Sequence, residues 1–510
     1  MTSPADPPLT IPELLSQRVA AHPGDAAVVD GGVTTTWAEL AAAASAFGAS
    51  LIDRGVEPGD RVAIWAPNGL RWIVAVLGIW EAGAAVVPIN TRFRGGEAAD
   101  VLRRSGARVV VTVTDFLGVD HAAMLRGEDL PGLVVLTEHD EVVPSDEAIE
   151  DVARRATAVS TDDMSDILYT SGTTGRPKGV VQTHGRTLCV ARDWVAMTGL
   201  HHGDRYLMVN PYFHMFGLKA GILASIAAGA TMYPEATFDT ERTLRRIGEE
   251  RITVLPGAPT IYQSLLDTPD RDRYDLQSLR VAVTGAADIP VSLVHRVREE
   301  LPFEVVVTGY GLTEAGTATA TSPDDDAATV ATTVGRARPG FELRLDGDGD
   351  GVGEILLRGP SVMAGYLDDP DATAEVLVDG WLRTGDLGTL DPAGNLRIVG
   401  RSKDMFIVGG FNVYPAEVEN LLLGHPDVAQ AAVVGMADHR LGEVGAAFVV
   451  PRAGATLEEG SLIAWAREHM ANYKAPRRVI VIDELPLNAT GKVAKDRLRD
   501  QLGPSVPSES

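Results

Sequence analysis

The segment MSDILYTSGTTGRPKG, residues 164–179, joins a hydrophobic strand to a glycine-rich loop. The run DILYT at 166–170 has the apolar and aromatic content of a buried strand. The loop at 170–179 exposes backbone N–H groups and hydroxyls with little steric hindrance, and Lys178 adds a positive charge. These features suit a phosphate group, but a flexible surface loop has the same composition, and the spacing does not match the Walker A pattern. The residues alone leave both interpretations open.

The same strand-and-loop pattern recurs through most of the chain. Short β-branched runs such as RVAIWAP at 61–67, RVVVTV at 108–113 and LRVAVTG at 279–285 alternate with alanine- and leucine-rich helical stretches. This alternation predicts an α/β fold of mainly parallel sheets covered by helices. After about residue 340, FELRL and EILLRG flank a Gly/Asp-rich turn and predict an antiparallel hairpin in a β-rich subdomain.

The length of 510 residues is too great for one hydrophobic core, so at least two domains are expected. The pattern of apolar residues changes near GRSKDMFIVGG at 400–410, and the sequence beyond it predicts two apolar strands, a helix and a further strand. We therefore predict a large N-terminal domain over residues 1–400 and a small α+β domain over residues 401–510.

The overall charge limits the classes of partner. The formal net charge is −25, which repels nucleic acid and requires local features to hold any polyphosphate. Cys189 is the single cysteine, so an internal disulfide and a cysteine-based zinc site are both excluded. The N-terminus lacks a signal peptide pattern, and the longest apolar stretch, 72–80, is too short to span a bilayer. These features predict a cytoplasmic protein without a stable membrane anchor, and they leave a homodimer open.

Six segments occur in the order found in one superfamily. They are TSGTTGRPKG at 170–179, YGLTE at 310–314, TGD at 384–386, GRSKD at 400–404, GGFNVYPAEVE at 409–419 and NATGKV at 488–493. The chain resembles the adenylate-forming superfamily of acyl-CoA synthetases, firefly-type luciferases and nonribosomal-peptide adenylation domains. The resemblance implies an ATP-dependent acid:CoA ligase that uses ATP, Mg²⁺ and coenzyme A and forms an acyl-adenylate. It also implies that the small C-terminal domain is mobile and carries the catalytic lysine.

The resemblance assigns roles to individual residues. Glu314 and Thr170 would hold Mg²⁺, and Lys492 would stabilise the charge that develops when the carboxylate attacks the α-phosphorus. Glu314 and His214 complete the predicted catalytic set, and Lys403 would be the hinge of the mobile domain. Contacts to the nucleotide and CoA are expected from the motif residues and the end of one strand: Thr170, Ser171, Gly172, Thr173, Thr174, Gly175, Lys178, Gly285, Ala286, Ala287, Tyr310, Gly311, Thr313, Asp386, Arg401, Gly409 and Gly410.

The acyl group is expected near the segment NPYFHMFGLKAGI, with His214, Phe216, Lys219 and Tyr262 as pocket residues. Lys219 stands where a fatty-acid pocket would need an apolar side chain. A buried charge is costly unless a polar group meets it, which favours an acid that also carries a ketone. Two alternatives remain: Lys219 points to solvent, or it pairs with a carboxylate.

Longer segments narrow the resemblance. NPYFHMFGLKAGILASIAAGAT, ITVLPGAPTIYQSLLD and VAVTGAADIPV are similar to the actinobacterial ligases of steroid-ring degradation. That similarity implies 3-(7a-methyl-1,5-dioxo-octahydroinden-4-yl)propanoate, a bicyclic keto-acid, as the substrate. A ligase for medium-chain fatty acids or aryl acids, a luciferase-like oxidase and an adenylation enzyme that loads a carrier protein are the alternatives.

Overall fold

The computed structural model describes residues 9–170, 177–285, 291–347, 351–401, 404–408, 411–438, 440–488 and 492–502. The strands of this part of the chain are β1 (Ala26–Asp30), β2 (Val33–Thr36), β3 (Arg61–Trp65), β4 (Ala85–Pro88), β5 (Val109–Thr112), β6 (Val134–Leu136), β7 (Met164–Thr170), β8 (Lys178–Thr183), β9 (Arg205–Met208), β10 (Thr231–Pro234), β11 (Val254–Gly257), β12 (Val281–Gly285), β13 (Val305–Leu312), β14 (Gly316–Ala320), β15 (Arg336–Ala337), β16 (Glu342–Asp346), β17 (Gly353–Arg358), β18 (Gly365–Tyr366), β19 (Leu377–Val378), β20 (Trp381–Leu390), β21 (Leu396–Arg401), β22 (Phe406–Val408), β23 (Phe411–Val413), β24 (Val428–Asp438), β25 (Gly442–Pro451) and β26 (Arg478–Val481).

The helices cover both faces of the larger sheets. They are α1 (Ile11–Ala21), α2 (Trp37–Asp53), α3 (Leu70–Glu81), α4 (Gly95–Ser105), α5 (His121–Leu125), α6 (Asp146–Ala158), α7 (His184–Thr198), α8 (Met215–Gly217), α9 (Ala224–Ala228), α10 (Thr240–Glu249), α11 (Pro259–Leu266), α12 (Val291–Glu300), α13 (Ala327–Thr332), α14 (Pro370–Val376), α15 (Pro415–Leu422), α16 (Glu459–His469) and α17 (Lys495–Gln501). A π-helical turn over Leu218–Leu223, here called the π-turn, links α8 to α9, and a 3₁₀ turn lies at Arg271–Arg273.

Two large mixed sheets form the N-terminal part. One has the order β15-β14-β13-β12-β11-β9-β10-β1-β2, and the other has the order β18-β8-β7-β4-β3-β5-β6. The central strands of each are parallel; antiparallel pairs lie at both edges of the first sheet and, in the second, only at the edge formed by β18 and β8. This arrangement confirms the predicted α/β class.

Alternate residues of these strands enter different hydrophobic clusters. In β3, Val62 and Ile64 pack into the cluster between the two sheets, whereas Ala63 and Trp65 pack into the cluster on the outer face. In β9, Tyr206 and Met208 belong to the inner cluster, and neighbouring residues belong to the outer one. A strand buried on both faces needs apolar side chains at nearly every position, which is why the sequence shows continuous apolar runs there.

Two smaller sheets follow. The first has the order β16-β17-β20-β19 with β21 paired to β20, and all its pairs are antiparallel. The pairing of β16 with β17 confirms the predicted hairpin. The second sheet, β23-β22-β25-β24 with β26 paired to β25, uses only strands from Phe406 onward and packs against α15, α16 and α17. Among the described helices, no segment combines the length and the apolar character needed to cross a membrane.

Helices α2 and α3 approach each other closely between the two large sheets. A Cβ placed on Gly78 would lie 2.5 Å from the carbonyl oxygen of Ala44, so the contact requires glycine. At the end of α3, Glu81 is 9% exposed, and the hydroxyl of Ser45 donates a hydrogen bond of 2.7 Å to its carboxyl group. Burial raises the pKa of Glu81 from 4.5 to about 7, and the bond from Ser45 partly opposes this shift.

This buried carboxyl group predicts a pH-dependent stability. As the pH rises from 4.5 to 7, the unfolded chain releases the Glu81 proton while the folded protein keeps it, so the free energy of unfolding falls by about 3 kcal/mol. Glu81→Gln removes this titration and keeps a hydrogen-bond acceptor for Ser45. We expect the free energy of unfolding of Glu81→Gln, minus that of the native protein, to be larger at pH 8 than at pH 5.5. Urea unfolding at both pH values measures this difference. Glu150→Gln, at an exposed position of α6, is the control. An equal effect of Glu81→Gln at both pH values would contradict the argument.

Candidate active site

The predicted phosphate loop lies at the end of an antiparallel strand pair. Strand β7 ends at Thr170, β8 begins at Lys178, and these two residues face each other in the register of the pair. The structure therefore brings together the first and the last of the predicted loop contacts. The intervening predicted residues, Ser171, Gly172, Thr173, Thr174 and Gly175, lie outside the described residues.

One tyrosine connects the loop lysine to the predicted magnesium ligand. The ammonium group of Lys178 lies over the ring of Tyr366, 5.0 Å from its centroid. The hydroxyl of Tyr366 donates a hydrogen bond of 3.0 Å to Oε1 of Glu314. Tyr366 reaches this position because β18 pairs with β8, with Tyr366 opposite Val180.

The carboxyl group of Glu314 has the character expected of a cation ligand. Burial raises its pKa above 4.5, and the bond from Tyr366 and the nearby charge of Arg401 lower it by less. Within the described part of the chain no cation pairs directly with this half-buried carboxylate. Such a group would gain from a divalent cation, and Mg²⁺ prefers oxygen ligands of this kind. The donor set therefore fits the predicted metal, with Glu314 and Thr170 as the candidate ligands.

The carboxylate of Asp386 forms the centre of the predicted ribose site. Tyr310 donates a hydrogen bond of 2.6 Å to Oδ2 of Asp386, and Nε of Arg401 lies 3.0 Å from Oδ1. Strand register places Asp386 opposite Arg401 in the β20–β21 pair, and the hydroxyl of Thr384 accepts a hydrogen bond from the Asp386 amide. Burial and the charge of Asp386 raise the pKa of Tyr310, so its hydroxyl keeps its proton and donates.

Glycines line the strand ends beside this carboxylate. Gly285 ends β12 and faces Gly309 of β13 in the parallel register. A Cβ on Gly311 would lie 2.4 Å from the carbonyl oxygen of Gly316, so this position of the motif needs glycine. Thr313 is half-buried in the turn before Glu314. The predicted adenine contacts Ala286 and Ala287 lie outside the described residues.

The predicted catalytic residues His214 and Lys492 are related through the pKa of His214. Burial lowers the pKa of His214 from 6.5 to about 4, and the positive charge of Lys492 is the second cause. The backbone of Lys492 is tied to Asn488: its amide donates a hydrogen bond of 2.9 Å to the side chain of Asn488, and its carbonyl oxygen accepts one of 2.7 Å from the Asn488 amide. The side chain of Lys492 is exposed, so it can approach a bound substrate.

His214 caps a short helix that begins the acyl segment. Its Nδ1 accepts a hydrogen bond of 3.2 Å from the amide of Phe216, and its carbonyl oxygen accepts from the amides of Gly217 and Leu218. Phe216 is half-buried and packs edge-on against Trp194 at a centroid distance of 5.2 Å. Since Nδ1 is an acceptor, the neutral imidazole carries its proton on Nε2.

Two of the four predicted pocket residues have polar partners inside the protein. Lys219 is 1% exposed, and its ammonium nitrogen lies 2.9 Å from Oδ1 of the fully buried Asp166. The prediction that Lys219 meets a polar group of the acid is therefore wrong, and the alternative of a carboxylate partner is correct. The hydroxyl of Tyr262 donates to the carbonyl oxygen of Leu255 at 2.6 Å, and Tyr262 packs in the cluster on the outer face of the nine-stranded sheet. Phe216 packs in the inner cluster, so the sheet separates these two rings.

Comparison with known proteins assigns the family. The family of AMP-binding enzymes matches residues 15–367, and the C-terminal domain of the same enzymes matches residues 417–492. This chain belongs to the AMP-binding enzyme family.

Its relatives among AMP-binding enzymes are named as CoA ligases. The 3-[(3aS,4S,7aS)-7a-methyl-1,5-dioxo-octahydro-1H-inden-4-yl]propanoyl:CoA ligase of Mycobacterium tuberculosis is 53% identical, and the match covers 96% of this chain and 98% of the relative. The enzyme with the same name from Rhodococcus jostii is 49% identical, over 97% and 99% of the two chains. The anthranilate CoA ligase AuaEII, solved in complex with anthranoyl-AMP, matches with a TM-score of 0.87 and 27% identity, over 98% of this chain and 99% of that one.

The hinge and CoA segments of this AMP-binding enzyme are described only in part. Arg401 ends β21, where it binds Asp386, and Asp404 pairs with Arg499 at 2.9 Å. The predicted hinge residue Lys403 and the predicted CoA contacts Gly409 and Gly410 lie outside the described residues. Their roles remain predictions.

Sequence analysis missed Tyr366 and Asp166. Tyr366 lies in MAGYLDD, which has no distinctive composition, and only the pairing of β18 with β8 brings it to Lys178. Asp166 has a visible signal, because it is an acidic residue inside the strand that leads to the phosphate loop. A charge in a strand buried on both faces calls for a partner of opposite sign.

The hydrogen bond from Tyr366 to Glu314 predicts that activity requires more Mg²⁺ once this hydroxyl is lost. Tyr366→Phe keeps the ring under Lys178 but removes the hydroxyl that stabilises the ionised carboxylate. We expect the Mg²⁺ concentration for half-maximal pyrophosphate release to rise by about tenfold, which corresponds to the loss of one hydrogen bond to a charged group. Tyr366→Leu, which also removes the ring, should in addition raise the KM for ATP. An unchanged Mg²⁺ dependence in Tyr366→Phe would mean that the hydroxyl has no influence on the metal site.

Proposed function

We propose that this AMP-binding enzyme joins 3-(7a-methyl-1,5-dioxo-octahydroinden-4-yl)propanoate to coenzyme A. The observation that carries this proposal is the 53% identity, over nearly the full length of both chains, to a ligase named for that acid. The ligase class itself follows from the family and from relatives named as CoA ligases. ATP, Mg²⁺ and CoA are the cosubstrates and metal of that class, and we place the reaction in the cytoplasm.

In the first half-reaction, a carboxylate oxygen of the acid bonds to the α-phosphorus of ATP, and the bond to the β-phosphate bridge breaks to release pyrophosphate. Both reactants are anions, so the approach needs positive charge. Lys492 would supply it beside the carboxylate, and Lys178 would bind the leaving phosphates. Mg²⁺, held by Glu314 and Thr170, would neutralise part of the phosphate charge when bound.

His214 would act as a donor in this step. Its pKa of about 4 keeps the imidazole neutral at physiological pH, and the bond from the Phe216 amide to Nδ1 leaves the proton on Nε2. An Nε2–H group can hold one oxygen of the substrate carboxylate while the other attacks phosphorus. A neutral donor also avoids a second positive charge next to Lys492, which would cost electrostatic energy.

In the second half-reaction, the CoA sulfur attacks the carbonyl carbon of the acyl-adenylate, the thiol proton is lost, and AMP leaves. Lys492 would have to withdraw to open a path for the thiol. We propose that residues 401–510 turn about Lys403 as a unit and bring Gly409 and Gly410 to the pantetheine chain. Asp386 would hold the ribose throughout, because the hydroxyl of Tyr310, which lies outside the moving unit, fixes its carboxylate.

The division of labour between the half-reactions is testable. Lys492→Ala should lower the rate of adenylate formation by at least a hundredfold, because it removes the charge that stabilises the transition state. Thioester formation from pre-made acyl-adenylate and CoA should change by less than about threefold. ATP–pyrophosphate exchange measures the first step, and product mass measures the second. Lys474→Ala, which removes a lysine paired to Glu417, is the control and should leave both rates intact. Equal losses in both half-reactions of Lys492→Ala would refute the proposed withdrawal.

The substrate is tested with a panel of acids. The purified protein is given MgATP, CoA and the bicyclic keto-acid, octanoate, palmitate or benzoate, and the thioesters are identified by mass. We expect kcat/KM for the bicyclic acid to exceed the others by at least a hundredfold. A preference for octanoate or benzoate would replace the proposed acid with a medium-chain or aryl acid. Pyrophosphate release without any thioester would instead favour transfer to a carrier protein or an oxidase.

A further inference from the structure

A buried ion pair links two segments that border the proposed active site. Lys219 and Asp166 are 1% and 0% exposed, and their charged groups are 2.9 Å apart. Oδ2 of Asp166 also accepts hydrogen bonds from the hydroxyls of Ser165 at 2.7 Å and Thr187 at 2.6 Å. The aspartate is thus fixed from three sides within the core between the two large sheets.

Lys219 belongs to the π-turn, Leu218–Leu223. A π-helical turn contains one residue more than an α-helical turn and is less stable by itself, and such turns often lie at functional sites. A second buried contact holds the π-turn: the hydroxyl of Tyr206 donates a hydrogen bond of 3.0 Å to the carbonyl oxygen of Ala220. Gly221 lies against Met208, where a Cβ would come within 2.8 Å of its methyl group. The turn is therefore secured by side chains and not by its own backbone alone.

The two partners of the ion pair each lie next to one part of the site. Asp166 is in β7, the strand that ends at Thr170 and leads into the phosphate loop. Lys219 directly follows the turn of His214, whose carbonyl oxygen accepts hydrogen bonds from the amides of Gly217 and Leu218. The ion pair therefore connects the phosphate side of the site to the side that carries His214 and Phe216.

We propose that the ion pair of Lys219 with Asp166 is a positioning device, which holds the π-turn against β7 so that His214 stays at a fixed distance from the phosphate loop. Neither residue touches the substrate. This inference rests on the proposed function, since it assigns a task to His214 in adenylate formation. It replaces the direct contact between Lys219 and the acid that the sequence suggested.

The test must separate positioning from stability. Removal of one partner leaves an unpaired buried charge, so single variants are expected to be unstable. Lys219→Met with Asp166→Asn removes both charges at similar side-chain volume and keeps an acceptor for the hydroxyls of Ser165 and Thr187. The matched control is Lys495→Met with Glu419→Gln, which removes an ion pair of 2.7 Å from the C-terminal sheet region.

A double-mutant comparison with His214→Ala gives the decisive readout. In the native background, His214→Ala should lower kcat/KM for the acid at least tenfold, with the KM for ATP within about twofold. In the folded Lys219→Met/Asp166→Asn variant, kcat/KM for the acid should already be at least tenfold lower, and the further change by His214→Ala should be under threefold. If the two effects multiply instead, the ion pair is only structural and the proposal fails.

A measurement on the protein without substrate keeps this test independent of the proposed acid. The His214 signal is identified in proton NMR by its absence from His214→Ala, and its titration is followed in the native protein and in the double variant. Release of the π-turn should expose the ring and move the midpoint upward by at least one pH unit. An unchanged midpoint would overturn the proposal, whereas failure of every acid in the panel with a shifted midpoint would reject only the proposed function.

Discussion

Burial of both faces of the two large sheets is the constraint on which the rest of the structure depends. The strands of each sheet send alternate side chains into different hydrophobic clusters, so polar chemistry has little room along their length. A charged group within these strands needs a buried partner, as Asp166 has in Lys219, whereas strand ends are open to ligands. Thr170, Gly285 and Tyr310 all stand at or close to such ends, where the proposed ligand contacts lie.

Positively charged side chains near these strand ends act against the repulsion that the net negative charge of the protein exerts on an anionic ligand. The protein carries a net charge of −25, yet it belongs to a family that binds a nucleotide polyanion. Lys178 lies over the ring of Tyr366, and Arg401 pairs with Asp386. The charge of Arg401 also lowers the pKa of Glu314, and the charge of Lys492 lowers the pKa of His214. Short-range interactions of this kind are far less screened than the diffuse repulsion of surface carboxylates. At the proposed site, these groups would attract phosphates despite the overall charge.

The sequence predicted the fold class, the family and the order of the motifs, because each depends on local patterns of apolar residues and glycines. It could not predict which side chains meet across the sheets. Lys219 shows the limit: the choice between solvent, a substrate ketone and an acidic partner depended on the approach of the π-turn to β7. The packing of Tyr262 likewise depends on tertiary structure, since α11 follows β11, whose neighbouring residues face opposite sides of one sheet. Tyr366 reaches Lys178 through the edge pairing of β18 with β8, and a strand of two residues has no recognisable sequence pattern.

The effect of the Lys492 charge on the pKa of His214 relates residues from two distant parts of the sequence. A buried imidazole next to an ammonium group is held neutral, and the amide of Phe216 decides which nitrogen keeps the proton. In the proposed reaction cycle, withdrawal of Lys492 would remove one of the two causes of the low pKa, while burial would remain. The imidazole would then be easier to protonate at the stage when the thiol must lose its proton. Under that proposal, the position of one lysine would set both the charge available to the first half-reaction and the basicity available to the second.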